Sequence, residues 1–217
     1  LNDSDLVLNR QRLLQQQAPE PTLTAWQALH RAADKALKQP LLSVTDKGMT
    51  PPSGSKHDYL SLSAYWWPDD NKPDGLPWVK RDGHVNPASK NEQSDGVRLA
   101  TFTASVQTLT LAWYFSGDRR YADKAIALIR HWFINPATPI NPNLEYAQGV
   151  PGIADVRPTG VLAGRYFAPP IVDPPIMLRP PPGRPEKHLQ HTHRCRNDYP
   201  QRTPTRRPRA GGAAATH

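Results

Sequence analysis

The chain has 217 residues, enough for one domain with a sizeable core or for part of a larger one. Its 25 prolines and formal charge of +8 are unevenly spread: residues 169–217 hold 11 Pro, eight Arg and four of the eight His, and carry +6 of that charge. The pI of about 9.8 therefore describes the C-terminal stretch more than the rest, which weakens nucleic acid as a reading, and no run approaches the roughly 20 apolar residues a membrane span needs.

The first helical signal is Leu23, Trp26, Leu29, Ala33 and Leu37, whose steps of three and four put them on one face. Thr24 with Gln27 three residues later predicts a capping box, and Pro40 closes the segment. Leu1 to Gln17 is a further helical candidate, Gln-rich and less periodic. From Leu41 to about Pro87 the pattern dissolves into turn signals such as Pro51-Pro52, Ser53-Gly54 and Pro73-Asp74-Gly75. That predicts a long irregular loop, held to the domain by Tyr59, Tyr65, Trp66, Trp67 and Trp78 because so much aromatic surface is costly to leave in water.

Helical order returns with Leu99, Phe102, Val106, Leu109 and Trp113, stopped by Gly117 and restarted by Asp118. The next helix carries one stripe of Tyr121, Ala125, Leu128 and Trp132 and a neighbouring one of Ala122, Ile126, Ile129 and Phe133, ending at Asn135-Pro136. Two helices joined by so short a turn predict an antiparallel hairpin. Residues 136–160 read as irregular, and a further helix is expected near Thr159, with Val161, Leu162, Tyr166 and Phe167 available for packing. Pro169-Pro170 and Pro174-Pro175 then oppose helix. The expected division is a domain over 1–168 and a disordered, basic, Pro/Arg-rich tail over 169–217.

Lys56-His57-Asp58-Tyr59, Tyr65-Trp66-Trp67-Pro68 and Lys80-Arg81-Asp82-Gly83 combine aromatic faces, which stack on pyranose rings, with cations and imidazole suited to sugar carboxylates. The competing structural reading is that the tryptophans pin the loop. Asn141, Asn143, Tyr146 and Gln148 make a second polar and aromatic group, although Asn-Pro and Pro-Asn are also ordinary turn formers. His30 and His131 fall within predicted helices, and His57 and His84 are the better site candidates. His188, His191, His193 and Cys195 lack the paired ligand spacing of a zinc module, so neither metal nor cofactor is expected.

The stretch PPSGSKHDYLSLSAYWWPDDNKPDGLPWVKRDGHVNP and the later LTLAWYFSGDRRYADKAIALIRHWFINPATPINPNLEYAQGVPG resemble the alginate-lyase superfamily of bacterial polysaccharide lyases, over roughly residues 32–164. The resemblance implies an all-α fold, here an incomplete (α/α) toroid with a long aromatic-rich loop. It also implies export to the periplasm or beyond, and cleavage of uronate-containing polysaccharide by β-elimination. It implies substrate contacts at Lys56, His57, Tyr59, Tyr65, Trp66, Trp67, Arg81, Asn143, Tyr146, Gln148 and Arg157. The partner expected is an anionic polysaccharide bound by a monomer, without specific nucleic acid or membrane.

In the family, proton transfer falls mainly to an Asn-His pair on a later helix, with Arg and Tyr further on. No Asn-His dipeptide occurs in this sequence. The expectation is a chain truncated before its catalytic residues, explained by a reading-frame shift near Phe167 that sequencing of the gene tests directly. The alternative from another class is a non-catalytic module that holds an anionic polysaccharide, with nonspecific nucleic-acid binding by the Arg-rich tail a weaker third.

Overall fold

The computed structural model describes residues 3–167, and the expected tail at 169–217 lies outside them. Four α-helices carry most of the order: α1 Asp3–Leu14, α2 Glu20–Leu37, α3 Asp95–Ser116 and α4 Arg119–Phe133. Helix α3 is central, packing against α4, α2 and α1. The helix ends follow local chemistry. Gly117 closes α3 at φ 71°, a left-handed conformation that costs glycine little, and its N–H donates to the Trp113 carbonyl. Asp118 then caps α4 by accepting from the Arg120 N–H at 3.0 Å.

The α4 stripe of Tyr121, Ala125, Leu128 and Trp132 is buried throughout and meets Leu99, Phe102, Val106 and Leu109 of α3. Phe102 and Trp132 stack with ring centroids 4.9 Å apart. The neighbouring stripe is looser, Ile126 being 43% exposed. On α2 the capping box expected at Thr24 is not formed. The helix begins earlier, with Pro at its first turns and Pro19 as the flanking residue, so Thr24 lies inside it and donates instead to Glu20 Oε1.

The all-α expectation is corrected. Two small sheets accompany the helices: β1 Leu60–Leu62 pairs in parallel with β4 Tyr146–Gly149, and β2 Trp66–Trp67 pairs antiparallel with β3 Val79–Lys80. The described residues are thus a mixed helix-and-sheet arrangement, and the expected toroid is withdrawn with the all-α class. Short 3₁₀ turns at Val44–Asp46 and Pro87–Lys90 add further order to the segment expected to be a loop. The strands escaped sequence reading for a physical reason. Every β1 residue is buried, so no alternation of apolar and polar marks it, and its partner strand lies far along the chain.

The helix expected near Thr159 is a 3₁₀ segment, Pro158–Tyr166. Tyr166 and Phe167 do pack against the core, but Val161 and Leu162 stay 72% and 60% exposed, contrary to their expected packing. Two contacts hold this segment. Thr103 Oγ1 donates to the Tyr166 carbonyl, and Gly160 lies so close to β4 that a Cβ there would sit 2.8 Å from the Ala147 carbonyl oxygen.

Candidate functional site

The eleven residues singled out by sequence fall into three places. The first is a clasp around Asp58. This carboxylate accepts from Asn141 Nδ2 at 2.7 Å, Asn143 Nδ2 at 3.1 Å and Ser53 Oγ at 2.5 Å. Burial by itself would raise the Asp58 pKa, but the three side-chain donors and the Lys47 charge outweigh it and hold the group below its ordinary value. Beside it, His57 Nδ1 meets the Pro139 carbonyl at 2.7 Å and the His57 carbonyl accepts from the Asn141 N–H. Lys56 Nζ donates to the carbonyls of Lys47, Gly48 and Met49. His57, Asn141 and Asn143 therefore join the segment at 47–58 to the turn at 139–143, while Lys56 closes the 47–56 stretch on itself.

The second place is the β2–β3 ribbon. Trp66 and Trp67 are half-buried there, and Tyr65, just before it, is 45% exposed. Trp67 Nε1 donates to the His84 carbonyl at 2.9 Å, and the Arg81 guanidinium lies 5.4 Å from the Trp67 ring centre while pairing with Asp70 at 2.5 Å. One face of Trp67 is thus covered by a cation that already has a carboxylate.

The third place is the β1–β4 pair, which positions Tyr59, Tyr146, Gln148 and Arg157. Arg157 Nη1 donates to Ser63 Oγ and to the Gln148 carbonyl, at 3.1 and 3.2 Å. The Gln148 N–H donates to Ser61 Oγ at 3.0 Å. Gln148 is held between them at φ 59°, a left-handed conformation uncommon for a residue with a Cβ, next to a register irregularity between β1 and β4. Such strain persists where the surroundings over-determine the backbone. Tyr59 is 1% exposed, and burial pushes its phenol up to about 12, so it is neutral at ordinary pH.

Tyr59 and Gln148 line an open cavity of about 570 Å³, within the range of small-molecule sites. Ser61, Leu62 and Ala64 give one side of it. The first turns of α3 give another, through Gly96, Ala100 and Ala104 spaced four apart, and Lys90, Arg165 and Tyr166 complete the lining. Among the described residues no Asp, Glu or His lines it. Sequence reading missed Lys90, Arg165 and Tyr166, although the small residues at every fourth position of α3 were a legible sign that something other than a packed side chain faces that side.

Also missed was the buried ionic centre beneath the cavity. Asp95, at the start of α3, accepts from Lys47 Nζ at 3.0 Å and from the Leu60 N–H at 2.9 Å through the same oxygen, while Arg98 approaches its other oxygen at 3.4 Å. The Lys47 and Asp95 side chains are fully buried. Desolvation lowers the Lys47 pKa and raises that of Asp95, and their mutual attraction opposes both shifts. Lys47 also donates to the Val44 and Lys56 carbonyls, and Arg98 to those of Asp46 and Glu92. The centre ties the 44–56 segment, β1 and α3 together, and so sets where Tyr59 and Ser61 lie. Among the described residues no group of three or more His, Cys, Asp or Glu is arranged to hold a metal ion.

Comparison with known proteins comes down on one family. The family model described as alginate lyase matches residues 43–212. The fold is similar to the crystal structure of an alginate lyase from Bacteroides ovatus, with a TM-score of 0.73 and 38% sequence identity, over 81% of this chain and 45% of that one. The chain thus spans under half the length of that relative. No curated protein matches it. With a family match over most of its length and a solved relative of this likeness, the chain belongs to the alginate lyase family.

Proposed function

We propose that the chain is a polysaccharide lyase sequence of the alginate-lyase type, built to bind a uronate-containing polysaccharide that such enzymes cleave by β-elimination. The observation that carries this reading is the open cavity, whose tyrosines, hydroxyls, amide and cations, without a single carboxylate, suit a sugar that bears one. The solved relative is an alginate lyase, which supports alginate or a related polyuronate as the polymer.

β-Elimination needs the uronate carboxylate neutralised, a base to take the C5 proton and an acid to protonate the departing C4 oxygen. Cations and amide around the cavity meet the first need. For the second, no histidine lines the cavity, His57 is engaged with a backbone carbonyl, and the sequence has no Asn-His pair. On this reading the described residues hold polymer without supplying the proton-transfer groups, so turnover by this chain is negligible. This also favours the second reading, a non-catalytic binding module.

The test is to mix purified chain with alginate, measuring retention by affinity electrophoresis and the ultraviolet absorbance of unsaturated uronate products. Retention with no rise in absorbance is expected. A steady rise would overturn the loss of catalysis, and absence of retention would overturn polysaccharide binding. Export to the periplasm or beyond and a monomeric state belong to the same proposal. Cell fractionation and light scattering test them.

A further inference from the structure

Which cations meet the substrate carboxylate differs from what residue types suggest. Lys56 is occupied by three backbone carbonyls, Arg81 by Asp70, and Arg157 by Ser63 and Gln148. None of the three lines the cavity. Two other cations do, Lys90 and Arg165.

Lys90 ends the 3₁₀ turn Pro87–Lys90, is exposed, and makes no side-chain hydrogen bond or ion pair among the described residues. Among the described residues Arg165 meets no carboxylate either. Its guanidinium lies 4.8 Å from the Tyr166 ring centre and donates to that hydroxyl at 2.8 Å, which orders it while leaving most of its donors available. Both residues come from segments tied firmly to the frame. Asn86 Oδ1 accepts from the Ala88 N–H, and Ser89 Oγ donates to the Asn86 carbonyl. The Tyr166 carbonyl is held by Thr103.

Among the described residues, an anion entering here therefore meets two uncommitted cations and no opposing carboxylate, beside the smooth wall of Gly96 and Ala100. Resting on the reading that the cavity takes a uronate, we infer that Lys90 and Arg165 form the subsite for the uronate carboxylate and determine selectivity for acidic over neutral sugars. Tyr166 holds Arg165 in place. Lys56, Arg81 and Arg157 shape the protein around the site and do not contact the carboxylate.

The experiment uses the full chain and two readouts. Affinity for an alginate oligomer is compared for wild type, Lys90→Met, Arg165→Met and the control Arg119→Met, which removes the same charge from the exposed face of α4, with circular dichroism checking that each is folded. Each cavity variant should lose roughly ten- to a hundredfold in affinity, the range for a lost charge-assisted hydrogen bond. The control should lose little. Arg165→Lys should recover part of the loss by restoring charge without the fork. Separately, wild type is titrated with glucuronate and with glucose while the Arg165 side chain and Lys90 backbone NMR signals are followed. Shifts with glucuronate alone are expected. If the oligomer binds but neither variant weakens it, or the signals stay still, the subsite assignment is overturned and polysaccharide binding stands. If wild type does not bind the oligomer at all, the underlying reading falls, and the assignment with it.

Discussion

Single residues carry the clearest consequences of burial. Asp58 is held below its ordinary pKa, so it contributes stability that is present above the unfolded carboxylate value of about 4 and lost as pH falls through the lower folded value. Asp58→Asn keeps an acceptor for the two asparagines and removes the titration. Acid unfolding followed by circular dichroism should then show less loss of stability below about pH 4 than in wild type. Tyr59 behaves oppositely: its raised pKa contributes stability that is intact below about 10 and lost as pH rises toward about 12. Tyr59→Phe should shift alkaline unfolding to higher pH. At Asp95, removing one member of a buried ion pair leaves uncompensated charge, so Asp95→Ala should cost about 3–5 kcal/mol in denaturant unfolding, while replacing Lys47 and Asp95 together by apolar residues should cost far less.

Among elements, the helices and the sheets differ in how much of them can be read from local sequence. The stop of α3 and the start of α4 were legible because Gly117 and Asp118 act on their own neighbours. Gly117 has open space around an added Cβ, so Gly117→Ala is strained only by its positive φ and should cost about 1 kcal/mol in thermal unfolding. Gly160→Ala should cost more, since the new methyl group would strike β4 backbone. The β1–β4 pair gave no such local sign: Ser61 bonds Gln148, Arg157 bonds both Ser63 and Gln148, and Asp95 anchors Leu60, contacts that mostly join distant parts of the chain.

For the molecule as a whole, composition pointed to an aromatic and basic surface for an acidic polymer, and the structure divides that surface by what each charge already does. The aromatic ribbon carries Trp67 under Arg81, backbone carbonyls engage Lys56 and His57 beside the Asp58 clasp, and Lys90 and Arg165 line the cavity. Tyr59 and Gln148, singled out in the sequence because their type and neighbourhood suit sugar recognition, line the cavity. Lys90 and Arg165 were not singled out, because an exposed lysine or arginine in sequence looks the same whether or not a carboxylate has already claimed it.

The sequence by itself determined the helices α2 to α4, the junction between α3 and α4 at Gly117-Asp118 and the family, since 3.6-residue periodicity, capping chemistry and contiguous motifs all act over short spans. The tertiary structure decided the mixed fold, the buried Lys47–Asp95 centre, the left-handed Gln148 and the choice of uncommitted cations. Each of these depends on contacts between residues far apart in the chain, and the desolvation that gives a buried or paired charge its energy exists only once those contacts have formed.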